Sequence, residues 1–410
     1  MNVQLRKDAE CIARAAVEAV KPDAAVRRAV ENMTFTGDVY LMAAGKAAWQ
    51  MAKAALDCLE VPVKGGVVVT KYDHVMGDLP GVDCYEAGHP VPDENSFRGT
   101  QAALELTKDL KENDVVLFLL SGGGSALFEK PLVSGEELQD VTRQLLACGA
   151  EITEMNTIRK RLSQVKGGRF AQWCSPAKVE AVVLSDILGD PLDMIASGPA
   201  AVDVSTCDDA AAIVKKYGLK LSKTAETCLK EETPKVLTNV RSQIIGSVRE
   251  LCRAAAAEAE KLGYEPVYLT DMLTCEARDA GSFLASVLRS HGADGKKRAY
   301  LAGGETVVHL TGKGLGGRNQ ELALGAAAGL AGLSNACVIS VGSDGTDGPT
   351  DAAGGYADGD TMDALKAVGL QLHEVLADND AYHALQKVDG LIITGPTGTN
   401  VNDVAIGLVG

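Results

Sequence analysis

The sequence predicts an α/β protein with a doubly wound, largely parallel sheet, followed by a second α/β domain. Three observations support this prediction. Short aliphatic strand patterns alternate with helical patterns along the chain. The 410 residues are 46% hydrophobic but 4% aromatic, a balance typical of aliphatic parallel sheets. Several strand patterns lead directly into glycine-rich turns, and the chain contains 44 glycines.

Composition also limits the classes of function. A formal net charge of −15 argues against a nucleic-acid or anionic-membrane surface, because such surfaces need clustered Lys and Arg. Ten cysteines occur without a Cys-x-x-Cys pair, which indicates neither a zinc ribbon nor a disulfide framework. The first residues lack the apolar core of a signal peptide, and no segment has about 18 uninterrupted apolar residues. We expect a soluble cytoplasmic protein that binds neither nucleic acid nor membrane.

The first half of the chain predicts repeated strand-helix units. An amphipathic helical pattern covers 3–30. A strand at 39–43 then reaches Gly45, where a bend leads into a helix with Lys46 in its first turn. The other predicted elements of this half are strands at 67–70, 115–120 and 179–185, and helices near 96–111, 135–172 and 206–217.

A polar, proline-containing stretch at 230–238 is the best linker candidate. We therefore predict an N-terminal domain at 1–232 and a C-terminal domain at 236–410, in agreement with the two or three domains that the length suggests. The predicted elements of the C-terminal domain are strands at 240–245, 265–269, 299–302, 305–310, 337–342 and 404–408, and helices at 247–262 and 320–332.

The most informative segment is the strand at 115–120, which leads into a glycine triplet between two serines. Glycines let the backbone pass close to a ligand, and exposed amides and hydroxyls donate hydrogen bonds to anions. Phosphate or carboxylate binding is the first hypothesis, and an ordinary strand-to-loop turn is the alternative. The residues of this predicted anion site are Ser121, Gly122, Gly123, Gly124 and Ser125.

A basic segment at 156–170 carries five cations within an otherwise acidic chain. Arg159, Ser163 and Lys166 are spaced to share one helical face, so two cations and a hydroxyl would line a cleft. Such local charge is what an anionic substrate requires. A solvated basic helix face is the alternative.

Two carboxylates, Asp186 and Asp190, follow the next strand. Open α/β sheets place ligands at the carboxyl ends of their strands. Asp186 is suited to hold Mg²⁺ or to accept a proton from a substrate hydroxyl, and its alternative role is to cap the following turn.

The C-terminal half contains further glycine-rich loops. Gly312, Gly314 and Gly317 match G-x-G-x-x-G between a strand and a helix, so a dinucleotide site is a rival hypothesis. The acidic residue that such a site needs, about twenty residues on, comes rather late at Asp344. Arg318, at the helix start, is better suited to grip phosphate or carboxylate.

Loops at 343–351 and 394–403 mix acidic, hydroxyl and glycine residues, which suits a metal-nucleotide site. Ordinary turn chemistry is the alternative. The six histidines show neither metal-ligand spacing nor a nucleophile partner, and a P-loop motif is missing, so a kinase would lie outside the P-loop group.

Seven of these motifs, in this order, resemble the glycerate 2-kinases whose C-terminal part is called the MOFRL domain. The resemblance covers nearly the whole chain. The motifs are at 44–47, 120–125, 156–160, 185–190, 316–321, 343–348 and 397–403.

The resemblance implies a Rossmann-like N-terminal domain, a C-terminal MOFRL domain and an active site in the cleft between them. It implies a small-molecule substrate, D-glycerate, phosphorylated at its 2-hydroxyl with ATP and Mg²⁺. Because some relatives are labelled hydroxypyruvate reductases, an NAD(P)H-dependent reductase is kept as an alternative, together with a non-catalytic nucleotide sensor. A homo-oligomer is left open.

The resemblance also suggests roles for residues. In that family the lysine matched by Lys46 and the arginine matched by Arg318 are regarded as active-site residues. We expect Lys46 to face phosphate or the glycerate carboxylate and Arg318 to stabilise the transferring group. Asp186 is the expected base or metal ligand, with Asp190 as a second metal ligand. The acid end of the substrate is assigned to Asn156, Arg159 and Lys160. Nucleotide binding is assigned to Gly316, Gly317, Asn319, Glu321, Asp344, Thr346, Asp347, Thr399 and Asn400.

Overall fold

The structure is a computed structural model that describes residues 2–31, 33–292 and 295–410. Contacts divide the chain into a central unit, Pro22–Ile245, and a terminal unit formed by Met1–Lys21 with Gly246–Gly410. Within the described residues, no helix combines the length and the apolar character needed to cross a membrane.

The helices and strands are numbered along the chain. In order they are α1 (Val3–Ala19), α2 (Pro22–Val30), β1 (Val39–Ala44), α3 (Ala48–Cys58), β2 (Val63–Lys71), β3 (Val82–Ala87), α4 (Glu94–Leu106), β4 (Val115–Leu120), α5 (Gly124–Leu127), α6 (Gly135–Ala147), α7 (Ile152–Arg161), α8 (Arg169–Trp173), β5 (Lys178–Leu184), α9 (Cys207–Tyr217), α10 (Lys223–Cys228), β6 (Val240–Gly246), α11 (Val248–Lys261), β7 (Glu265–Leu273), α12 (Ala277–His291), β8 (Arg298–Gly304), α13 (Arg318–Leu330), β9 (Ala336–Gly342), β10 (Gly354–Asp358), α14 (Thr361–Ala367), α15 (Leu372–Ala377), α16 (Ala381–Lys387), β11 (Leu391–Ile392) and β12 (Asp403–Val409).

The central unit is built on a sheet with the strand order β3-β2-β1-β4-β5-β6. The pairings from β3 to β5 are parallel. All six residues of β4 are apolar and buried, as expected for an inner strand covered on both faces. Because the strands are parallel, the turns that follow β1, β3, β4 and β5 emerge at the same edge of the sheet.

Three phenylalanines anchor the turn that follows β4. The ring of Phe118 lies 5.3 Å from that of Phe128 and 4.8 Å from that of Phe170, and the rings of Phe128 and Phe170 are 5.0 Å apart. Phe118 belongs to β4 and Phe128 follows α5, so this aromatic cluster fixes the chain on both sides of the glycine triplet.

The terminal unit has a mixed sheet with the order β11-β10-β9-β12-β8-β7. Strand β12 is antiparallel to both of its neighbours, and β7 is parallel to β8. Helix α1 packs in this unit, where the hydroxyl of Tyr264 donates to the buried carboxylate of Asp8 at 2.8 Å. The hydroxyl of Thr399 donates to the carbonyl of Val20 at 2.9 Å, which fastens the chain just after α1.

The prediction of an α/β protein with two α/β domains is confirmed. Several elements differ from the predicted ones. The helix expected over 3–30 is two helices, the second of which begins at Pro22. The helix expected over 135–172 is three helices. Helix α6 ends just before Gly149, which has a positive φ angle, α7 ends at Arg161, and α8 begins after Gly168, whose φ angle is also positive.

The strand expected at 305–310 is wrong, since this segment forms only an isolated bridge between Val307 and Glu276. Strands β3, β10 and β11 were not predicted. Two elements lie outside the units that the predicted division at 232–236 gives them. Helix α1 belongs to the terminal unit, and β6 lies beside β5 in the sheet of the central unit.

Candidate active site

In the central unit, two strand ends are tied together at the sheet edge. The N–H of Lys46 donates to the carbonyl of Gly122 at 2.9 Å, and the N–H of Ala47 donates to the buried hydroxyl of Ser121 at 3.0 Å. Gly45 has a φ of +127°, and a Cβ at this position would collide with Ser121. Ser121 therefore positions the backbone that carries Lys46.

The glycine triplet is covered by side chains from three other segments. A Cβ at Gly122 would collide with the carboxylate of Asp186. At Gly123 it would lie 3.0 and 3.1 Å from Cδ2 and Nε2 of His89 and 3.3 Å from Cγ of Lys46. The structure thus brings the predicted residues Lys46 and Asp186 together with the glycine turn.

His89 also belongs to this group, although neither metal-ligand spacing nor a nucleophile partner marks it in the sequence. It follows β3, a strand that was not predicted, at the sheet edge where the other turns emerge. Burial is the main cause that lowers the pKa of His89, and the nearby charges of Lys46, Lys71 and His74 lower it further. These surroundings favour the neutral form of the imidazole.

Lys46 is half-buried. Within 2–31, 33–292 and 295–410, no carboxylate or other hydrogen-bond acceptor pairs with it. A cation beside a glycine turn and without a protein counter-ion is suited to a ligand anion.

Arg159 lies on the other side of the turn. Its Nη2 donates to the carbonyl of Ser125 at 3.2 Å, whereas its Nε is buried without a hydrogen-bond partner in the part of the chain that the structure describes. Burial lowers the pKa of Arg159. The predicted common helical face with Ser163 and Lys166 is wrong, because α7 ends at Arg161.

Buried polar contacts fix the position of Ser125. Its hydroxyl lies 3.0 Å from that of Ser197, which donates to Oδ1 of Asn156 at 3.0 Å. Lys166 donates to the carbonyl of Ser125 at 2.9 Å and pairs with the carboxylate of Glu129 at 3.2 Å. Burial lowers the pKa of Lys166 to about 8. Asn156 thus contacts the turn through Ser197, and Lys166 supports it from inside the protein.

Lys160 has a different environment from Arg159. It is buried and pairs with Asp193 and Asp203, each at 3.1 Å. Burial disfavours the charge of Asp203, but Lys160 and several hydrogen-bond donors lower the pKa of this carboxyl. The charge of Lys160 is therefore already neutralised by the protein.

The two carboxylates predicted as metal ligands lie in the segment after β5. Asp190 has a φ of +55°, and its buried Oδ1 has no hydrogen-bond partner among the described residues. In the same described residues, no group of three or more His, Cys, Asp or Glu side chains could hold a metal ion. Mg²⁺ is commonly held by one or two carboxylates together with substrate phosphates. Asp190, with its unsatisfied oxygen, fits a carboxylate ligand of that kind.

In the terminal unit, Arg318 is held at the start of α13 by two carboxylates. Its Nε and Nη2 donate to the two oxygens of Asp403, the second at 3.1 Å, and its Nη1 donates to Glu305 at 2.9 Å. Burial opposes the charge of Arg318, but these hydrogen bonds raise the pKa of its guanidinium. Burial raises the pKa of Asp403 to about 6, although Arg318 acts in the opposite direction. The guanidinium is thus permanently charged and fixed in orientation.

The predicted nucleotide-binding residues around α13 have structural contacts. Asp347 is buried and accepts from the N–H groups of Asn319 and Gln320 at 3.1 and 2.9 Å. It therefore caps the helix with the protein's own carboxylate. Asn319 also accepts from the hydroxyl of Ser340 at 2.6 Å. Buried Glu321 accepts from Nδ2 of Asn379 at 3.2 Å.

The glycines of the G-x-G-x-x-G match lie against other parts of the chain. A Cβ at Gly312 or Gly314 would collide with the segment around Asp378, and one at Gly317 would collide with Asp347. A Cβ at Gly316 would lie 3.3 Å from Ala381. These glycines are required for close packing of the chain on itself, which removes the main support for a dinucleotide site.

The remaining predicted nucleotide-binding residues lie in two loops of the terminal unit. Asp344 accepts from the N–H of Thr346 at 3.0 Å, and Asn400 accepts from the N–H of Asn402 at 3.4 Å. Thr399 is buried and bonded to the chain after α1. A cavity of about 500 Å³, lined by α1, β9 and 391–397, borders these loops and has the size of a small-molecule site.

Comparisons with known proteins agree with the sequence motifs. Residues 8–230 match a family described as a domain of unknown function, DUF4147, and residues 298–403 match the MOFRL family. A D-glycerate 2-kinase of Thermotoga maritima is 52% identical over 99% of this chain and 98% of its own length. A crystal structure of glycerate kinase from the same organism has a TM-score of 0.96, with 52% identity over 99% of this chain and 100% of that one. A putative hydroxypyruvate reductase of Agrobacterium vitis is 41% identical over 91% of this chain and 100% of its own length.

Proposed function

The chain belongs to the glycerate kinase family that joins a DUF4147 domain to a MOFRL domain, and from this premise we propose that it phosphorylates D-glycerate at the 2-hydroxyl. ATP would be the phosphoryl donor, and the products would be 2-phospho-D-glycerate and ADP. The observation that carries this proposal is 52% identity, over 99% of the chain, to a D-glycerate 2-kinase.

The central unit offers charges for an anionic substrate. Phosphoryl transfer depends mainly on positioning and on neutralising charge as the phosphoryl group moves. Among the described residues, Lys46 has no counter-ion and the buried Nε of Arg159 has no partner. We assign these two cations, with the backbone of the glycine turn, to the carboxylate of glycerate and to phosphate oxygens. Lys160 is a weaker candidate, because Asp193 and Asp203 already neutralise it.

Arg318 is assigned to the phosphoryl group itself. Like Lys160 it is paired with two carboxylates, but its side chain is 31% exposed whereas that of Lys160 is 3% exposed, so it is still accessible to a ligand. Its two carboxylate partners hold the guanidinium in one orientation, which lowers the cost of ordering it when charge develops on the substrate. Whether it acts together with the residues of the central unit, in the predicted cleft, stays a prediction.

Mg²⁺ is proposed as the metal, with Asp186 and Asp190 as the residues that would hold it. When bound with ATP, Mg²⁺ neutralises part of the phosphate charge. For the nucleotide, we retain the loops with Asp344, Thr346 and Asn400. The cavity of small-molecule size is lined by Thr394, Pro396 and Thr397 of the second loop but by none of the three residues Asp344, Thr346 and Asn400. Gly316, Gly317, Asn319, Glu321, Asp347 and Thr399 have less support as nucleotide ligands, because the structure gives each of them a packing or hydrogen-bonding role.

Hydroxypyruvate reduction is the less supported function. The relative with that name is described as putative, and the packed glycines at 312–317 do not form an exposed dinucleotide loop. The remaining alternative is a nucleotide sensor without catalysis. Such a sensor does not require a lysine beside the glycine turn that, like Lys46, lacks a partner in the part of the chain that the structure describes.

One phosphorylation assay, with a reductase assay and a nucleotide-binding measurement beside it, distinguishes these functions. Purified protein is mixed with D-glycerate, ATP and Mg²⁺, and the products are identified by phosphorus NMR. We expect 2-phosphoglycerate. 3-Phosphoglycerate would refute the assigned position of transfer. NADH consumption with hydroxypyruvate and no phosphorylated product would establish the reductase, and nucleotide binding without turnover would establish the sensor.

A further inference from the structure

His89 and Lys46 pack against the same face of the glycine turn. A Cβ at Gly123 would lie 3.0–3.3 Å from atoms of both side chains, so both pack against the face of Gly123 from which the missing side chain would project. Gly123 has a φ of +86°, a left-handed conformation that also favours glycine. The imidazole is thus placed beside the cation that we assign to an anionic substrate.

No hydrogen bond within the described residues gives the ring of His89 a structural role. Within 2–31, 33–292 and 295–410, neither ring nitrogen forms a hydrogen bond, although the side chain is half-buried. Neither nitrogen is one of the buried polar atoms that lack a partner, so the ring is open to solvent or to a ligand. A half-buried imidazole without a partner, at the edge of a sheet where ligands bind, is suited to contact a ligand.

We propose that His89 is the general base that takes the proton from the 2-hydroxyl of glycerate, an inference that rests on the proposed kinase function. In this step the 2-oxygen forms a bond to the γ-phosphorus of ATP. The bond from that phosphorus to the β–γ bridging oxygen breaks, and its electron pair leaves with ADP. The hydroxyl proton passes to a ring nitrogen of His89. In this mechanism Asp186 serves only as a ligand of Mg²⁺.

The charges around His89 make its protonation depend on whether the anionic substrates are bound. Lys46, Lys71 and His74 are the charged or titratable groups that act on the ring, while Asp186 lies against the neighbouring Gly122. The positive charges of Lys46 and Lys71 disfavour an imidazolium in the free enzyme, which keeps the ring unprotonated and able to accept a proton. When glycerate and ATP bring negative charge to the same place, the cations are neutralised and protonation becomes easier. Once the anionic product has left, the proton is released to solvent.

The test compares His89→Gln with the wild-type enzyme and with His373→Gln, a matched change at an exposed histidine on α15. Wild-type turnover to 2-phosphoglycerate is measured first, since its absence refutes the proposed function independently of His89. In an active enzyme we expect His89→Gln to lower kcat by about a hundredfold, the low end for a general base, with KM changed less than threefold. We also expect kcat/KM of the wild type to fall as His89 becomes protonated at acidic pH, and this fall to disappear in the variant.

The proposal would be overturned if the kcat of His89→Gln were within fivefold of the wild type. It would also be overturned if kcat/KM of this variant fell at acidic pH as it does in the wild type. Thermal unfolding checks that the variant is folded. If His89→Gln does not fold, His89→Asn provides the same comparison, because its amide also cannot serve as a base at neutral pH. In His373→Gln both kcat and the pH profile should match the wild type.

Discussion

Replacing Gly123 with Ala tests whether the glycine turn positions the catalytic side chains. Two costs follow from the structure. The left-handed backbone, with a φ of +86°, costs an Ala residue about 1–2 kcal/mol. The new methyl group would also lie 3.0–3.3 Å from His89 and Lys46. Since carbon contacts prefer about 3.5–4.0 Å, these side chains must move by about 0.5 Å.

The two costs have separate readouts. A stability loss of about 1–2 kcal/mol should lower Tm by about 2–8 °C for a domain of this size. A displacement of 1 Å can reduce activity a hundredfold, so about 0.5 Å should lower kcat/KM by about tenfold, or about 1.4 kcal/mol. Differential scanning calorimetry measures the first effect, and steady-state assays of ADP formation measure the second.

Gly149→Ala is the matched control in the same unit. Gly149 has a φ of +69°, but a Cβ there would have no atom within 4 Å. This variant should lose a similar amount of stability and keep full activity. Equal values of kcat/KM for Gly123→Ala and Gly149→Ala would refute the idea that the face of Gly123 positions His89 and Lys46.

The other substitutions examine charge. Lys46→Ala and Arg318→Ala should each lower kcat/KM by at least about a hundredfold, roughly 2.7 kcal/mol, with unchanged circular dichroism. Asp190→Asn should raise the Mg²⁺ concentration needed for half-maximal rate, and EDTA should abolish turnover of the wild type. Lys166→Met should destabilise the protein by about 3–5 kcal/mol because it leaves Glu129 buried and unpaired, whereas the double change with Glu129→Leu should recover most of this loss in denaturant unfolding. The pKa of Lys166 is lowered to about 8, so the unfolded state binds more protons between about pH 8 and 10.5, and the contribution of Lys166 to stability should rise with pH over that range.

Controls separate these effects from general damage. Lys53→Ala removes an exposed cation that pairs with Asp57 on α3 and should leave kcat/KM unchanged. Near-normal turnover of either Lys46→Ala or Arg318→Ala would remove that residue from the mechanism. An unchanged Mg²⁺ requirement in Asp190→Asn would exclude it as a metal ligand. Additive effects of the two changes at Lys166 and Glu129 would contradict their coupling.

Much of the site could be predicted because its signals are local. The buried aliphatic pattern of β4 followed by the glycine triplet marks both the strand and the turn within fifteen residues. The position of Asp186 after β5 follows in the same way, since parallel strands place their carboxyl ends together. His89 was missed because β3, with residues such as Asp83 and Glu86, lacks a clear apolar pattern.

Long-range pairing explains why other assignments changed. Lys160 and Asp203 are 43 residues apart, and Arg318 and Asp403 are 85 residues apart. A basic helix segment therefore predicts available cations, although the fold neutralises Lys160 and leaves Nε of Arg159 without a partner in the described residues. The same reason applies to Asp347, whose acidic loop is typical of a nucleotide site but whose carboxylate caps α13.

By itself the sequence determined the α/β class, most of the strands and the turns that carry the family motifs, because backbone preference and burial pattern are encoded over a few neighbouring residues. Only the tertiary structure decided that α1 belongs to the terminal unit and which charged groups still lack a protein partner. Those outcomes depend on how distant segments pack, since an ion pair or a buried contact forms only after the fold has brought both partners together.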